Sequence, residues 1–128
     1  MYAAQMADVT LITPLVMTHD LESSLRFFTN TLGFECNFKM ENYAFINRKR
    51  CAIRLLEIDK SCEICEQMIY LDCDDVDALY AELKLRLDDL PDGRVRAPFN
   101  QPYQQREFHV KDPDNCLLFF GMDIRAFS

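Results

Sequence analysis

The sequence predicts an α+β domain made of two βαβββ modules. Three observations lead there. Short apolar runs recur at strand length, two apolar stripes have helical spacing, and the element order of the first half returns in the second. The 128 residues fit one domain spanning residues 1–128, with residues 8–58 as the first module and 67–123 as the second.

Thr10 to Met17 is rich in Leu, Ile and Val and reads as a buried strand. Asp20 suits a helix N-cap, because a short carboxylate can accept from the free N–H groups of the first turn. Leu21, Leu25, Phe28 and Leu32 follow on one helical face, and Gly33 supplies the stop. Phe34 to Lys39 is a short strand. Tyr43 to Asn47 and Cys51 to Ile58 are two more, joined by a turn near Arg48 to Arg50. The order then repeats: a strand from Gln67 to Cys73, an N-cap at Asp75, and a stripe of Val76, Leu79, Tyr80, Leu83 and Leu87. Pro91-Asp92-Gly93 breaks the chain, and a short strand is expected around Val95. Gln105 to Val110 and Cys116 to Met122 form a closing hairpin whose turn places Asn115 where a positive φ is tolerated.

Composition limits the function classes. With 21 acidic and 14 basic residues the formal net charge is −7, and the basic residues are scattered. That argues against nucleic acid, which needs clustered Lys and Arg, and suits a cationic ligand. No apolar run approaches the roughly 20 residues of a membrane helix, and Met1 to Val9 lacks the pattern of a signal peptide. The expected location is cytoplasmic, with reduced thiols. Cys51, Cys73 and Cys116 read as small hydrophobes in strands. Cys62 and Cys65 form a Cys-x-x-Cys with no second pair to complete a zinc site, so an incidental pair in a connector is the simpler reading.

Three segments carry a family resemblance. Thr13-Pro14-Leu15-Val16-Met17-Thr18-His19-Asp20-Leu21, with Ser24-Leu25-Arg26-Phe27-Phe28 and Leu32-Gly33-Phe34, resembles the opening of a glyoxalase/bleomycin-resistance (vicinal oxygen chelate) module. Asp74-Asp75-Val76-Asp77-Ala78-Leu79-Tyr80 resembles the start of the second helix. Arg106 to Leu118, through His109-Val110-Lys111-Asp112-Pro113-Asp114-Asn115, resembles the closing hairpin and is the most specific of the three. The bleomycin-resistance branch is the nearest, although Asn115 stands where that family usually has glycine.

The resemblance implies two modules curving into a cleft, usually in a homodimer. It also implies four metal-ligand places in the metal-dependent members, which map here to Thr13, Arg54, Met68 and Phe119. An Arg would repel a divalent cation and a Phe has no donor atom, so neither a metal nor another cofactor is expected, and no catalytic residue set is visible. By strand alternation Thr13, Leu15, Met17, Arg54, Leu56, Met68, Tyr70, Asp72, Leu117 and Phe119 should face the cleft. Such a lining suits a flat, partly polar small molecule. It equally suits a packed core or dimer interface, with Arg54 and Asp72 as an internal ion pair. His109 faces cleft or core depending on register, and His19 reads as a surface or capping residue. Ala97 to Gln105 reads as a loop in which Phe99 and Tyr103 could cover a ligand, or pack on the sheet edge. Arg106 and Glu107 could steer a ligand or be solvated edge charges.

Three functions follow from the resemblance. The first is a non-catalytic binder sequestering a cationic antibiotic-like ligand. The second is a metal-dependent lyase, isomerase, dioxygenase or thiol transferase. The third is a regulatory or interaction module with a vestigial cleft.

Overall fold

A computed structural model describes residues 7–125. Its elements are β1 (Leu15–Thr18), α1 (Leu21–Arg26), a π-helical turn (Phe27–Thr31), β2 (Glu35–Lys39), β3 (Tyr43–Arg48) and β4 (Cys51–Glu57). β5 (Gln67–Asp72), α2 (Val76–Leu87), β6 (Val95–Asn100), β7 (Gln105–Lys111) and β8 (Cys116–Asp123) repeat the order. The strands form two mixed four-stranded sheets, β1-β4-β3-β2 and β5-β8-β7-β6, each with one parallel pair at its crossover strand. This is the α+β architecture of two βαβββ modules that the element order implied.

Both aspartate caps form. The Asp20 carboxylate accepts from the Ser23 backbone N–H and Asp75 from that of Ala78. The first helix departs from the regular spacing expected of it. After Arg26 it widens, with the Leu32 N–H donating to the Phe27 carbonyl five residues back, so adjacent Phe27 and Phe28 are both buried. Gly33 then takes φ +77°, which ends the helix.

Period-two alternation sets the faces of the sheets. Val16, Ile53, Leu55, Leu71, Phe108, Val110, Leu118 and Phe120 turn towards the helices and join one buried cluster with Phe28, Leu32, Val76 and Leu87. Phe108 and Phe120 stack at 4.7 Å. Polar contacts between the modules flank this core. Thr18 Oγ1 donates to Asp114 Oδ2 at 2.5 Å, and the Gln67 side chain donates to the Leu15 carbonyl at 2.9 Å and accepts from the Met17 N–H. Arg48 pairs with Glu82 of α2 at 2.8 Å.

Four sequence expectations need correction. The first strand begins at Leu15, not Thr10: Val9, Leu11 and Ile12 are exposed, with no partner strand beside them among the described residues. The expected loop from Ala97 is strand β6 as far as Asn100, and it follows an irregularity between Arg96 and Phe99 that offsets the prolyl break at Pro98. Cys51 is exposed and Cys73 half-buried, which leaves Cys116 as the fully buried thiol of the three. Arg54 and Asp72 form no ion pair, because Arg54 is engaged by neutral partners on its own sheet. No described helix is long and apolar enough to cross a membrane.

Candidate functional site

The sheet faces that turn away from the helices carry the cleft-facing residues expected from alternation. Leu15, Met68 and Tyr70 are exposed, Asp72 is exposed, and Thr13, Arg54, Leu56, His109, Phe99 and Phe119 are half-buried, so this surface is not a packed core within the chain. The structure divides the candidates into two groups. Leu15, Arg54 and Leu56 lie on the first sheet, with Thr13 just before β1; Met68, Tyr70, Asp72, Phe99, Tyr103, His109 and Phe119 belong to the second module. No hydrogen bond, ion pair or ring contact joins side chains of one group to the other among the described residues.

The second group is organised around a residue that charge alone had marked as a possible solvated edge. Glu107 is 0% exposed. Its neighbours on β7, Phe108 and Arg106, face the other way, with Arg106 forked onto Asp77 of α2 at 2.9 Å on both arms. Four donors converge on the Glu107 carboxylate. His109 Nε2 stands 2.8 Å and Gln101 Nε2 3.1 Å from Oε1; the Tyr103 and Tyr70 hydroxyls stand 2.7 and 3.0 Å from Oε2. Burial works to raise the pKa of Glu107, but the hydrogen bonds from His109, Tyr103, Gln101 and Tyr70 outweigh it and hold the carboxyl below its ordinary range. The same network, with burial, pushes the Tyr70 hydroxyl well up, and the hydrogen bond to Glu107 raises Tyr103.

An ionised Glu107 fixes the imidazole of His109. Nε2 carries the proton it donates, and Nδ1 has no hydrogen-bond partner among the described residues. The ring lies 5.1 Å from Phe99 and 4.3 Å from Phe119, and Phe119 stacks on Tyr70 at 5.9 Å. Arg96 covers the outer side of Phe99 at 3.5 Å. The result is an aromatic surface with a buried carboxylate beneath it and an imidazole held in one orientation beside it. It can stack a flat molecule and offer a cation a fixed negative charge.

Gly121 makes this packing possible. It sits on β8 opposite Glu107 and beside Asp72, and a Cβ there would stand 1.9 Å from the Tyr70 hydroxyl oxygen. The sequence reading passed over Gly121, Gln101 and Tyr43. A glycine inside the strand run Phe119-Phe120-Gly121-Met122 is a legible sign of a close approach.

The four mapped metal places do not fit a divalent cation. Arg54 Nε donates to Thr13 Oγ1 at 2.8 Å and Phe119 is stacked in the aromatic surface, while Met68 is 67% exposed and in register with Leu117, not Phe119. Among the described residues, no three His, Cys, Asp or Glu side chains stand together as metal ligands do. His19 lies far along the chain from His109, with Nε2 2.7 Å from the Cys62 carbonyl. Cys62 and Cys65 are exposed, free, and line a recess of about 770 Å³ with Lys60 and Asp114. A second recess of about 520 Å³ lies between the β3–β4 turn and the start of α2, and of the cleft candidates it includes only Asp72.

Comparison with known proteins places this geometry. The model of the Glyoxalase/Bleomycin resistance protein/Dioxygenase superfamily matches residues 10–120. No curated protein matches in sequence. Among solved structures, the bleomycin-binding protein from bleomycin-producing Streptomyces verticillus, complexed with copper(II)-bleomycin, is similar at TM-score 0.74 and 21% identity, over 90% of this chain and 97% of that one. The bleomycin resistance determinant encoded on transposon Tn5 is similar at TM-score 0.76 and 20% identity, over 90% and 98%. Lactoylglutathione lyase from Agrobacterium tumefaciens is similar at TM-score 0.69 and 18% identity, over 90% and 95%.

Proposed function

The chain belongs to the Glyoxalase/Bleomycin resistance protein/Dioxygenase superfamily, and from that premise we propose that it binds a flat, cationic small molecule on the open face of the second sheet and sequesters it without catalysis. The observation that carries this reading is the ionised Glu107, wholly buried beneath Tyr70, Tyr103, Phe99 and Phe119 with only neutral or weakly basic donors around it. The carboxylate is held in a fixed position by four donors, so a cation at the ring surface would meet a charge already in place. The net charge of −7 adds long-range attraction of the same sign. The bleomycin-binding relatives support the ligand class. We further propose that two copies pair over part of the open face, where Leu15, Met68 and Tyr70 are exposed, and that the protein works in the cytoplasm.

The test is the thermal midpoint of the protein against bleomycin and other cationic aromatic antibiotics, with divalent metals in a parallel row after chelation. A ligand at 100 times its dissociation constant adds about 2.7 kcal/mol, a shift of several degrees. The expected result is a saturable shift with a cationic aromatic, lost in Glu107→Gln and reduced in Tyr103→Ala. A shift with metal alone would overturn the reading and favour metal-dependent lyase, isomerase or dioxygenase chemistry. No shift in either row would favour a regulatory module.

A further inference from the structure

We infer that the open face of the first sheet holds a second, oppositely charged subsite, in which Arg54 receives the carboxylate of a flat organic acid. Arg54 lies at the centre of that face, with Leu15 of β1 and Phe45 of β3 as its direct neighbours across the sheet. Its guanidinium is already held in place. Nε donates to Thr13 Oγ1 at 2.8 Å, Nη1 donates to the Tyr43 hydroxyl at 2.6 Å, and the group lies 4.9 Å from the centroid of the Phe45 ring.

Arg54 has no described anion beside it. Of the other half-buried arginines, Arg48 and Arg106 pair with Glu82 and Asp77, while Arg94, also without an ion pair to a described residue, donates to the Lys111 carbonyl and lies over the Phe27 ring. Among the described residues no carboxylate lies within ion-pair distance of Arg54; both its partners are neutral hydroxyls. A guanidinium has five N–H donors in a rigid fork, and two are spent here. The remaining three include both on Nη2, on a half-buried face lined by Leu15, Tyr43, Phe45 and Leu56. A charge held this way, with its side-chain entropy already lost, forms a stronger bond to a planar carboxylate than a free surface Arg does. The surroundings select the rest of the ligand. Phe45, Tyr43 and the exposed Phe38, whose ring is 6.2 Å from that of Tyr43, offer aromatic contact. Lys39, the nearest cation in sequence on β2, is committed to Glu22 at 2.7 Å, so a single positive charge serves the face and a monoanion fits better than a phosphate dianion.

The experiment is titration calorimetry of the full chain with 2-naphthoate, its neutral amide 2-naphthamide, the cation 2-naphthylmethylamine, and inorganic phosphate. The expected result is saturable binding of the carboxylate at least about 10-fold tighter than the amide. Arg54→Met, which keeps the aliphatic stem, should erase that preference. Arg54→Lys should restore only part of it, because an ammonium lacks the fork. Tyr43→Phe leaves the charge but frees the fork, and should weaken the carboxylate several-fold; it carries the test if Arg54→Met does not fold. Equal affinity for acid and amide, or an Arg54→Met that binds naphthoate unchanged, overturns the proposal. So does phosphate binding as tightly as naphthoate. No carboxylate binding together with a dimer that dissociates in Arg54→Met also overturns it, since a partner's carboxylate would then occupy the fork. Bleomycin and the Glu107 variants report on the second sheet separately, so either subsite can fail alone.

Discussion

Replacing Gly121 by alanine should expel Tyr70 from the Glu107 network. The added Cβ would lie 1.9 Å from Tyr70 Oη, 2.6 Å from Cζ and 3.0 Å from Cε1. These atoms belong to a rigid ring, so a small rotation does not clear them and the side chain must swing away. The hydroxyl's contacts to Glu107 at 3.0 Å and Gln105 at 2.9 Å go with it, its one proton serving one acceptor at a time, along with the Phe119 stack. A hydrogen bond to an ionised group contributes about 1.5–3 kcal/mol and an aromatic pair about 0.5–1.5. Tyr70 is 40% exposed and recovers water when it leaves, which places the expected loss near the low end, about 2 kcal/mol. The assay is urea unfolding of a double-mutant cycle. In a Tyr70→Ala background the same Gly121→Ala change meets no ring and should cost less than about 0.5 kcal/mol. An equal cost in both backgrounds would refute the clash, and bleomycin affinity unaffected by Gly121→Ala would detach Tyr70 from the proposed site.

Two further perturbations concern Asp112 and Asn115, around the β7–β8 turn. Asp112 is 4% exposed, and burial pushes its carboxyl from 3.8 up to about 6 despite backbone donors from Cys116 and Asp114. The unfolded chain therefore loses this proton at lower pH than the fold does, so the contribution is full below about pH 4 and lost as pH rises through 6, a fall of about 3 kcal/mol. Asp112→Asn should remove that component: the stability difference between wild type and variant, measured by urea unfolding from pH 4 to 7, should drift by about this amount, and a flat difference would contradict it. Asn115 holds φ +78° and donates from Nδ2 to the Ile64 carbonyl at 3.2 Å. Asn115→Val should cost about 1–3 kcal/mol through backbone strain, whereas Asn115→Gly should cost under about 1, as thermal melts of the three proteins would show.

Local rules made much of the fold legible. Asp20 and Asp75 cap because a carboxylate at that spacing reaches free N–H groups in any helix, and the faces of β1, β4, β5 and β8 follow from period two alone. What failed to show depended on how the chain folds back on itself. Thr10 to Ile12 has the composition of a strand but no neighbouring strand among the described residues, and composition cannot supply one. Ala97 to Gln105 reads as a loop from composition, yet an irregularity in pairing lets β6 run through Pro98 to Asn100. Glu107 was the largest loss. Read locally, Gln105-Arg106-Glu107 is a polar strand end. Its burial depends on Tyr70 arriving from β5, on Gln101 and Tyr103 folding back from the stretch before β7, on His109 two places along the strand, and on Gly121 leaving room for Tyr70.

That dependence bears on what the network does. A buried carboxylate with four donors is a weak source of stability, because its desolvation offsets much of what the hydrogen bonds return, and a well-packed apolar substitute is often neutral. Yet it removes freedom from side chains that would otherwise turn over at the surface: Tyr103 is 55% exposed and still tied to Glu107 at 2.7 Å. Each side chain ordered before a ligand arrives spares about 0.5–1.5 kcal/mol at the moment of binding. Arg54 shows the same device with the opposite charge, its fork set by Thr13 and Tyr43. In both places polar groups are spent on fixing the direction of an interaction, which is of little use to a core and of direct use to a surface that must recognise something.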